Sequence, residues 1–340
     1  MGKIMLLDCT LRDGGYINDW RFGEAAINET VEKMVSSGVD IFEIGFLKNE
    51  PYFKDRTVYN SVHQISSIIS PKRNYLKYAA MIEVVNPLPI EQLEDRTYDT
   101  IDVIRVIVWK QLLQEGFVYC KGVVEKGYKL CVQPARVDQY SHDEFIEMIK
   151  LFNQLDPMAV YIVDSFGTQN KMALMEYIDH ADKYLKEGIA LGYHGHNNLQ
   201  QAFGTAEAFV ELGLDRDIIV DASIYGIGRG AGNLNLELFA KYLNEIKGKS
   251  YLIAPILEIY DRYVSKIYEE CPWGYSLPFY LTALHRCNPN YASYYGIELN
   301  LTITEIDCIL NNLSEEDRII YKKENADRYL EDYKKCNANK

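Results

Sequence analysis

The chain has 340 residues, of which 48% are hydrophobic and 25% are charged, and its formal net charge is -13. These values are typical of a globular protein with a large core, and the negative charge argues against nucleic acid or an anionic membrane as a partner. The seven cysteines form no CxxC pair, which favours free thiols in a reducing compartment over a disulfide framework. We therefore expect a cytoplasmic protein without a secretory signal or a membrane span.

Short apolar runs alternate with amphipathic stretches along most of the chain. Eight runs are typical of buried strands, at 4–8, 39–46, 76–83, 101–108, 129–133, 159–164, 189–194 and 218–222. Helical patterns lie between most of them, at 24–37, 57–69, 111–126, 141–155, 171–186 and 199–212, with a weaker one at 87–97. Eight such units indicate a parallel sheet covered by helices, and their number favours a closed (β/α)8 TIM barrel over an open doubly wound sheet.

The alternation stops near residue 249. A helical pattern at 252–269 is followed by an irregular aromatic segment at 271–295 and then by a charged, helix-rich tail. Because no linker rich in Gly, Ser or Pro separates these parts, we expect the tail to pack on the barrel or on a partner. The sequence thus predicts a barrel domain over residues 1–248 and a mainly helical C-terminal extension over 249–340.

The segment LDCTLRDGGY, residues 7–16, follows the first predicted strand and contains Arg12 and Asp13. The carboxyl ends of barrel strands converge on one mouth, where active sites form. A carboxylate beside a guanidinium has its pKa lowered and stays ionised, so that it can hold a cation. The alternative is a strand end with solvated charges and a Gly-Gly turn, and the segment alone does not decide between the two.

The sharpest motif is YHGHNN, residues 193–198, at the end of the seventh predicted strand. Two histidines two positions apart on an extended backbone point to the same face, so His194 and His196 can bind one ion. Together with Asp13 they predict a divalent-metal site that leaves positions for water and substrate, whereas the alternative is a surface pair without a role. These ligand types suit Mg2+, Mn2+, Fe2+ or Zn2+ and do not choose among them.

A glycine-rich run, YGIGRGAGN at residues 225–233, follows the eighth predicted strand. Its spacing is not that of a dinucleotide-binding loop. Glycines such as Gly228 and Gly230 would let backbone N–H groups approach a phosphate or carboxylate, and the alternative is a structural tight turn. Asn233 would reach the metal or hold the loop.

Three further side chains are candidates for the site. The hydroxyl of Ser165, after the sixth predicted strand, could anchor a substrate carboxylate or cap a helix. Glu43, inside the second predicted strand, is expected to support the site or to pair with Arg12. His285 lies in the aromatic segment and is a candidate proton carrier.

Three motifs together, TLRDGG at 10–15, HGHNN at 194–198 and GxGxGAGN at 226–233, resemble those of the DRE-TIM metallolyases. This superfamily of HMGL-like domains includes 4-hydroxy-2-oxovalerate aldolase, 3-hydroxy-3-methylglutaryl-CoA lyase, isopropylmalate and homocitrate synthases, and pyruvate carboxyltransferase domains. The resemblance covers about residues 3–245, with the motifs in the same order and spacing.

The resemblance implies a divalent metal, Mg2+ or Mn2+ first and Zn2+, Fe2+ or Co2+ as alternatives. It implies a catalytic arginine beside the keto oxygen of the substrate, Arg12, and a hydroxyl that binds the carboxylate of a 2-oxo acid, Ser165. The metal ligands that it implies are Asp13, His194, His196 and Asn233.

The nearest subgroup is the aldolases, because DGG replaces the DGEQ or DGLQ of the CoA-dependent members. We therefore expect a metal-dependent aldolase that makes or cleaves a carbon–carbon bond of a 4-hydroxy-2-oxo acid through the enolate of pyruvate. Tyr16 stands where bacterial relatives have a histidine, and it is the first candidate for proton transfer, with His285 as the second. The expected partners are a small 2-oxo acid and an aldehyde, and the extension indicates a homodimer or a complex with an aldehyde-processing enzyme.

Other functions remain open at this point. A Claisen-type acyl-CoA synthase or a lyase resembling 3-hydroxy-3-methylglutaryl-CoA lyase would share the metal ligands, and some similar proteins are linked to bacterial surface-polysaccharide synthesis. A Schiff-base aldolase would need a desolvated lysine at a strand end, for which Lys110 is the nearest candidate. A binding protein without catalysis is the third class.

Overall fold

The computed structural model describes residues 2–338. In this range the strands are β1 (Ile4–Asp8), β2 (Ile41–Leu47), β3 (Val58–Tyr59), β4 (Lys77–Glu83), β5 (Val103–Val108), β6 (Lys129–Pro134), β7 (Ala159–Asp164), β8 (Ala190–Gly195) and β9 (Ile218–Ala222). Eight of them pair in parallel in the order β1-β2-β4-β5-β6-β7-β8-β9, and the ring closes because β1 pairs with both β2 and β9. The predicted (β/α)8 TIM barrel is confirmed.

Helices surround the barrel and continue beyond it. The helices within the barrel are α1 (Thr10–Asp13), α2 (Gly15–Asn18), α3 (Glu24–Ser37), α4 (Val62–Ile69), α5 (Leu113–Glu125), α6 (His142–Phe152), α7 (Lys171–Tyr184), α8 (Ala202–Glu211) and α9 (Leu236–Lys247). Those after it are α10 (Ala254–Ile259), α11 (Ser265–Glu270), α12 (Leu277–Leu284), α13 (Asn290–Ala292), α14 (Ile303–Asn311), α15 (Glu315–Ile319) and α16 (Lys323–Ala338). Single 3-10 turns lie at Lys110–Leu112, Val137–Gln139, Asn153–Leu155 and Ile224–Gly226, and π turns lie at Tyr260–Val264 and Ser293–Glu298. Every helix in the described part of the chain is too short or too polar to cross a bilayer.

One helix prediction was wrong, and a second was wrong at its start. The segment between β4 and β5 forms turns instead of the helix expected at 87–97. Pro87 and Pro89 remove two N–H donors there, so a regular helix cannot be built across them. The helix expected at 57–69 begins only at Val62, because Val58–Tyr59 pairs with β2 as the short strand β3.

The strands are buried on both faces, which explains their near-continuous apolar sequences. Along β1, for example, Leu6 packs toward the helices and Leu7 packs inside the barrel. The same alternation turns three charged side chains into the barrel interior, namely Glu43, Arg105 and Asp221, and all three are buried. Apolar side chains therefore fill the lower barrel, and ionic groups fill the part nearer the carboxyl ends of the strands.

Two of the predicted helix ends are confirmed in detail. Ser141 and Glu144 form a reciprocal capping box at the start of α6. Gly38 ends α3 in the left-handed region, with φ of 78°, where glycine carries no steric penalty.

The extension has a small core of its own and also packs on the barrel mouth. Its core contains Tyr291, Tyr295 and Ile306. Phe279 of α12 packs with Ala231 of the glycine-rich run, so the extension contacts the loop after β9. The boundary after residue 248 stays a prediction.

Candidate metal centre and substrate pocket

The carboxyl ends of the barrel strands enclose a pocket of about 70 Å3. It contains charged, aromatic and small side chains from seven of the eight barrel strands or the loops after them. The lining residues are Arg12, Asp13, Tyr16, Met81, Glu83, Ile107, Trp109, Gln133, Ala135, Val163, Ser165, His194, His196 and Arg229. We call this cavity the inner pocket.

Three of these side chains form a cluster that fits a metal ion. Ligand atoms of Asp13, His194 and His196 all lie within 4.8 Å of one another, and the three residues are buried. Nε2 of His196 is 4.0 Å from Oδ2 of Asp13, which is too long for a hydrogen bond. It is close to twice the ~2.0–2.2 Å over which such atoms bind a divalent ion, so the spacing suits a shared cation.

The turn that carries Asp13 is built by its neighbours. Asp8 accepts hydrogen bonds from the Thr10 hydroxyl at 2.6 Å and from the Thr10 N–H at 3.2 Å, which directs the chain from β1 into α1. Gly14 forms a turn between α1 and α2, and Gly15 is the first residue of α2. The alternative of solvated charges was wrong, because Arg12 and Asp13 are buried. A Cβ on Gly15 would lie 1.9 Å from the Trp20 ring, so glycine is required there for that ring to pack against the turn.

Hydrogen bonds to the outer ring nitrogens orient both histidines. Nδ1 of His194 is 3.0 Å from a carboxylate oxygen of Asp221, and Nδ1 of His196 is 3.1 Å from the carbonyl oxygen of Arg229. In the neutral tautomer that places the proton on Nδ1, each ring satisfies its contact and directs the lone pair of Nε2 away from it. This is the arrangement by which proteins prepare histidine for a metal.

The electrostatics of the cluster also suit a cation. Burial lowers the pKa of His196 to about 4, although the charge of Asp13 opposes this effect. Burial alone would raise the pKa of Asp13, but Arg12, the two histidines and a hydrogen bond from Asn233 outweigh it and hold this pKa well below its usual range. At neutral pH the site therefore offers an ionised carboxylate and a neutral imidazole.

A buried chain of charges connects Arg12 to His194 beneath the inner pocket. Nε of Arg12 donates to Oε2 of Glu43 at 2.7 Å, and Nη1 of Arg105 donates to the same oxygen at 2.8 Å. Arg105 also donates to Asp221, the carboxylate that orients His194. Burial alone would lower the pKa of Arg12, but Glu43 and Asp13 raise it above its ordinary value, so the guanidinium stays charged. These buried ion pairs therefore fix the orientation of the Arg12 guanidinium and of the His194 ring.

The structure places the other predicted residues at different distances from the site. Ser165 lines the inner pocket, where its oxygen accepts a hydrogen bond from the N–H of Arg136 at 3.0 Å, so its own proton is available to a ligand. Glu43 lies below Arg12 and does not line the pocket. His285 is paired with Asp307 at 2.7 Å and lines a separate cavity, so the structure does not bring it to the site.

The glycine-rich run supports the cluster closely at one point. A Cβ on Gly228 would lie 2.5 Å from Oδ2 of Asp13, so only glycine fits there. Gly230 lies near Pro289 and does not line the inner pocket. Nδ2 of Asn233 donates to Oδ2 of Asp13 at 2.5 Å, and its Oδ1 is buried with no hydrogen-bond partner among the described residues. Asn233 therefore positions Asp13 and keeps one oxygen available.

Several site residues had not been singled out from the sequence. Glu83 is the last residue of β4 and Trp109 follows β5, so their position at strand ends was the available signal. Arg105 and Asp221 interrupt apolar strands at positions that alternate toward the interior, which was also visible in the sequence. Lys110, the candidate for a Schiff base, instead contacts Gln139 and Glu144 outside the pocket.

Comparisons with known proteins agree with this architecture. Residues 112–260 match the HMGL-like family model. The chain is 24% identical over 276 residues to an oxaloacetate decarboxylase of Mycobacterium tuberculosis, covering 80% of this chain and 79% of that protein. It is 24% identical over 250 residues to a 4-hydroxy-2-oxovalerate aldolase of Geobacillus genomosp. 3, covering 72% and 71%.

Solved structures share the fold. The N-terminal domain of a candidate aldolase from Bacteroides vulgatus superposes with a TM-score of 0.73 at 24% identity, covering 87% of this chain and 98% of that one. The carboxyl transferase domain of Rhizobium etli pyruvate carboxylase superposes with a TM-score of 0.70 at 15% identity, covering 97% and 61%. The chain is thus a TIM-barrel protein with a cluster suited to a divalent metal at its mouth. Residues 112–260 are similar to the HMGL-like family, and the relatives named oxaloacetate decarboxylase and 4-hydroxy-2-oxovalerate aldolase fit the DRE-TIM metallolyase superfamily.

Proposed function

We propose that this protein is a divalent-metal-dependent aldolase that makes or cleaves a carbon–carbon bond of a 4-hydroxy-2-oxo acid through the enolate of pyruvate. The observation that carries the proposal is the buried cluster of Asp13, His194 and His196 beside Arg12, in a cavity sized for a small acid. Relatives named 4-hydroxy-2-oxovalerate aldolase support the reaction class.

The residues of the cluster would hold Mg2+ or Mn2+, with the free Oδ1 of Asn233 as a further donor. Such an ion supplies Lewis-acid stabilisation of negative charge on the keto oxygen of a 2-oxo acid. Arg12 is held rigid by Glu43 and donates to the same developing charge. Ser165 donates its free proton to the substrate carboxylate.

The reaction needs two proton movements. In the synthetic direction the methyl carbon of pyruvate loses a proton, that carbon bonds to the carbonyl carbon of the aldehyde, and the aldehyde oxygen takes up a proton. Loss of hydration and the nearby Glu83 raise the pKa of Tyr16, against the opposing charges of Arg12 and Arg229, so its phenol is protonated at neutral pH. Tyr16 therefore donates the proton to the aldehyde oxygen and is reprotonated from water, which also takes up the proton lost by the methyl carbon; in cleavage these steps run in reverse.

A second candidate is oxaloacetate decarboxylation, which is favoured by the relative from Mycobacterium tuberculosis. Loss of carbon dioxide from oxaloacetate leaves the same enolate of pyruvate, which then takes up a proton. The two candidates share their binding residues and differ in the group that leaves.

Exchange of the pyruvate methyl protons in D2O, followed by NMR, tests the half-reaction that both candidates share. The purified protein is analysed for metal, stripped with EDTA and reloaded with Mg2+, Mn2+, Zn2+, Fe2+ or Co2+. We expect EDTA to abolish exchange and one of these ions to restore it. Aldol synthesis with acetaldehyde and release of carbon dioxide from oxaloacetate then separate the two candidates.

The variant Asp13→Asn tests the role of Asp13 as a metal ligand. We expect it to lose metal binding and at least 100-fold in exchange while its circular dichroism is unchanged, because the loss of one ionised ligand removes most of the attraction for the ion. Asp99→Asn, at an exposed aspartate, is the control and should behave as wild type. Full exchange by Asp13→Asn, or trapping of a lysine adduct with borohydride, would overturn the proposal.

A further inference from the structure

A second and larger cavity lies directly outside the inner pocket. We call it the outer chamber; its volume is about 670 Å3, against about 70 Å3 for the inner pocket. Tyr16, Glu83, Trp109 and Arg229 line both cavities and so form the aperture between them. The opposite wall comes from the extension, including Tyr321 and its neighbours.

The outer chamber is poorly suited to a second anion. Its charged side chains are Glu83, Glu316 and Arg229, so carboxylates outnumber cations. The guanidinium of Arg229 is already engaged, because its Nη2 donates to Oδ1 of Asn288 at 2.8 Å and its centre lies 5.7 Å from the Tyr16 ring. A phosphate group is bound best where positive charge is in excess, and the described wall instead has two carboxylates against one guanidinium.

The rest of the wall is neutral and mixed in character. Gln111 and Asn290 are exposed amides, while Trp109, Ile320 and Tyr321 present apolar faces. A carbon chain that bears hydroxyl groups offers both hydrogen-bonding edges and apolar C–H faces, so it matches this wall better than a purely apolar chain does. A volume of this size is also typical of sites for ligands larger than pyruvate.

We propose that the outer chamber binds the part of the aldehyde beyond its reacting carbon, and that this part is an uncharged carbon chain bearing hydroxyl groups. This inference rests on the proposed function, because the carbonyl of the aldehyde must enter the inner pocket to meet the enolate of pyruvate. The remainder of the molecule then occupies the chamber outside the aperture. By the same reasoning, the phosphates of an acyl-CoA are disfavoured there.

The test compares three aldehydes with pyruvate on the metal-loaded protein: acetaldehyde, erythrose and erythrose 4-phosphate. We expect kcat/KM to be at least tenfold higher for erythrose than for either of the other two. A preference for acetaldehyde or for the phosphate ester would overturn the inference. Exchange of the pyruvate methyl protons is measured in parallel; if exchange occurs without the preference, only the inference fails, whereas absence of exchange defeats the proposed function and the inference with it.

Two variants probe the chamber wall. Ile320→Trp adds bulk there and should lower kcat/KM for erythrose at least tenfold more than for acetaldehyde. Ile246→Trp, at an exposed position of α9 outside the chamber, is the matched control and should keep the wild-type ratio. Glu316→Lys should shift preference toward erythrose 4-phosphate at least fivefold relative to erythrose. If Ile320→Trp kept the wild-type ratio of kcat/KM for erythrose to that for acetaldehyde, and Glu316→Lys kept the ratio for erythrose 4-phosphate to that for erythrose, the chamber would not contact the substrate.

Discussion

Tyr16 is fixed at the aperture by aromatic neighbours. Its ring centre lies 4.9 Å from that of Trp20 and 6.2 Å from that of Phe46, both edge to face. These contacts hold the ring independently of its hydroxyl. The side chain can therefore lose its oxygen without losing its place.

We predict that Tyr16→Phe lowers kcat for aldol turnover by about 100-fold, the usual size of a general-acid contribution. KM for pyruvate should change little, because Arg12 and Ser165 provide the contacts to the acid. Steady-state kinetics measure both constants, with Tyr75→Phe at an exposed tyrosine as the control. Wild-type kcat in Tyr16→Phe would contradict the assignment of the proton donor.

Asp8 predicts a pH dependence of stability. Burial raises the pKa of Asp8 to about 7, against the opposing hydrogen bonds from Thr10. The folded state thus favours the protonated carboxyl of Asp8. The stabilisation that comes from this preference is complete below about pH 4 and is lost as the pH rises through 7. The Asp8→Asn variant cannot ionise at this position. When the pH is raised from 5 to 8, its unfolding free energy should therefore rise by roughly 2 to 3 kcal/mol relative to that of wild type. Urea unfolding in EDTA at the two pH values measures this difference, and a pH-independent difference would contradict it.

The sequence was informative about ligands and less so about their supports. Asp13, His194 and His196 were predicted because carboxylate and imidazole groups at strand ends have few structural uses. His285 was misplaced because no local pattern tells which cavity a residue in an irregular segment faces. Arg105 and Asp221 were overlooked because their partners come from distant strands, and those pairings appear only when the barrel closes.

At the level of elements, β2 contains an irregularity directly after Glu43. The register of β2 with β4 shifts between Glu43 and Phe46. Gly45 lies within this shift, and a Cβ there would be 2.0 Å from the carbonyl oxygen of Thr57. The backbone of the segment before β3 therefore approaches β2 closely only because the residue is glycine.

Gly45→Ala should destabilise the protein by about 1–3 kcal/mol or more, since a methyl group cannot be placed there without moving backbone. The matched control is Gly204→Ala in α8, where a Cβ meets nothing within 4 Å. That change should instead stabilise by about 0.5–1 kcal/mol, the ordinary cost of glycine in a helix. Urea unfolding measures both, and equal effects of the two substitutions would contradict the role of Gly45.

The predicted strands agree with the observed ones to within two residues at each end. Strands buried on both faces produce continuous apolar runs, which are the strongest local signal in a parallel barrel. The two-residue strand β3 and the turns between β4 and β5 carry no comparable signal. Their shape depends on contacts with β2 and on proline positions rather than on periodicity.

At the scale of the whole molecule, the extension is connected to the site by hydrogen bonds. Nδ2 of Asn198, in the HGHNN motif, donates to the carbonyl oxygen of Phe279 at 3.2 Å. Nε1 of Trp273 donates to the carbonyl oxygen of Tyr225 at 2.9 Å. The sequence indicated that the tail packs on the barrel or on a partner but not that it walls the mouth, because irregular aromatic segments do not reveal their contacts. The homodimer or complex expected from the extension stays a prediction.

We predict that Asn198→Ala destabilises the protein by about 0.5–1.5 kcal/mol, because it removes a buried hydrogen bond to the Phe279 carbonyl, which keeps the bond from the Thr282 hydroxyl at 2.7 Å. It should also make the extension more sensitive to limited proteolysis under native conditions. Asn170→Ala removes the side chain that caps α7 and should cost about 1 kcal/mol without exposing the extension. Mass spectrometry of the fragments distinguishes the two variants, and equal cleavage patterns would contradict the connection.

The nested arrangement of the two cavities has a kinetic consequence. The inner pocket opens on the outer chamber through the aperture of Tyr16, Glu83, Trp109 and Arg229. An aldehyde that fills the chamber before pyruvate arrives would obstruct the route by which pyruvate enters. Productive turnover then requires a binding order, pyruvate first and aldehyde second, and excess aldehyde becomes an inhibitor that additional pyruvate relieves.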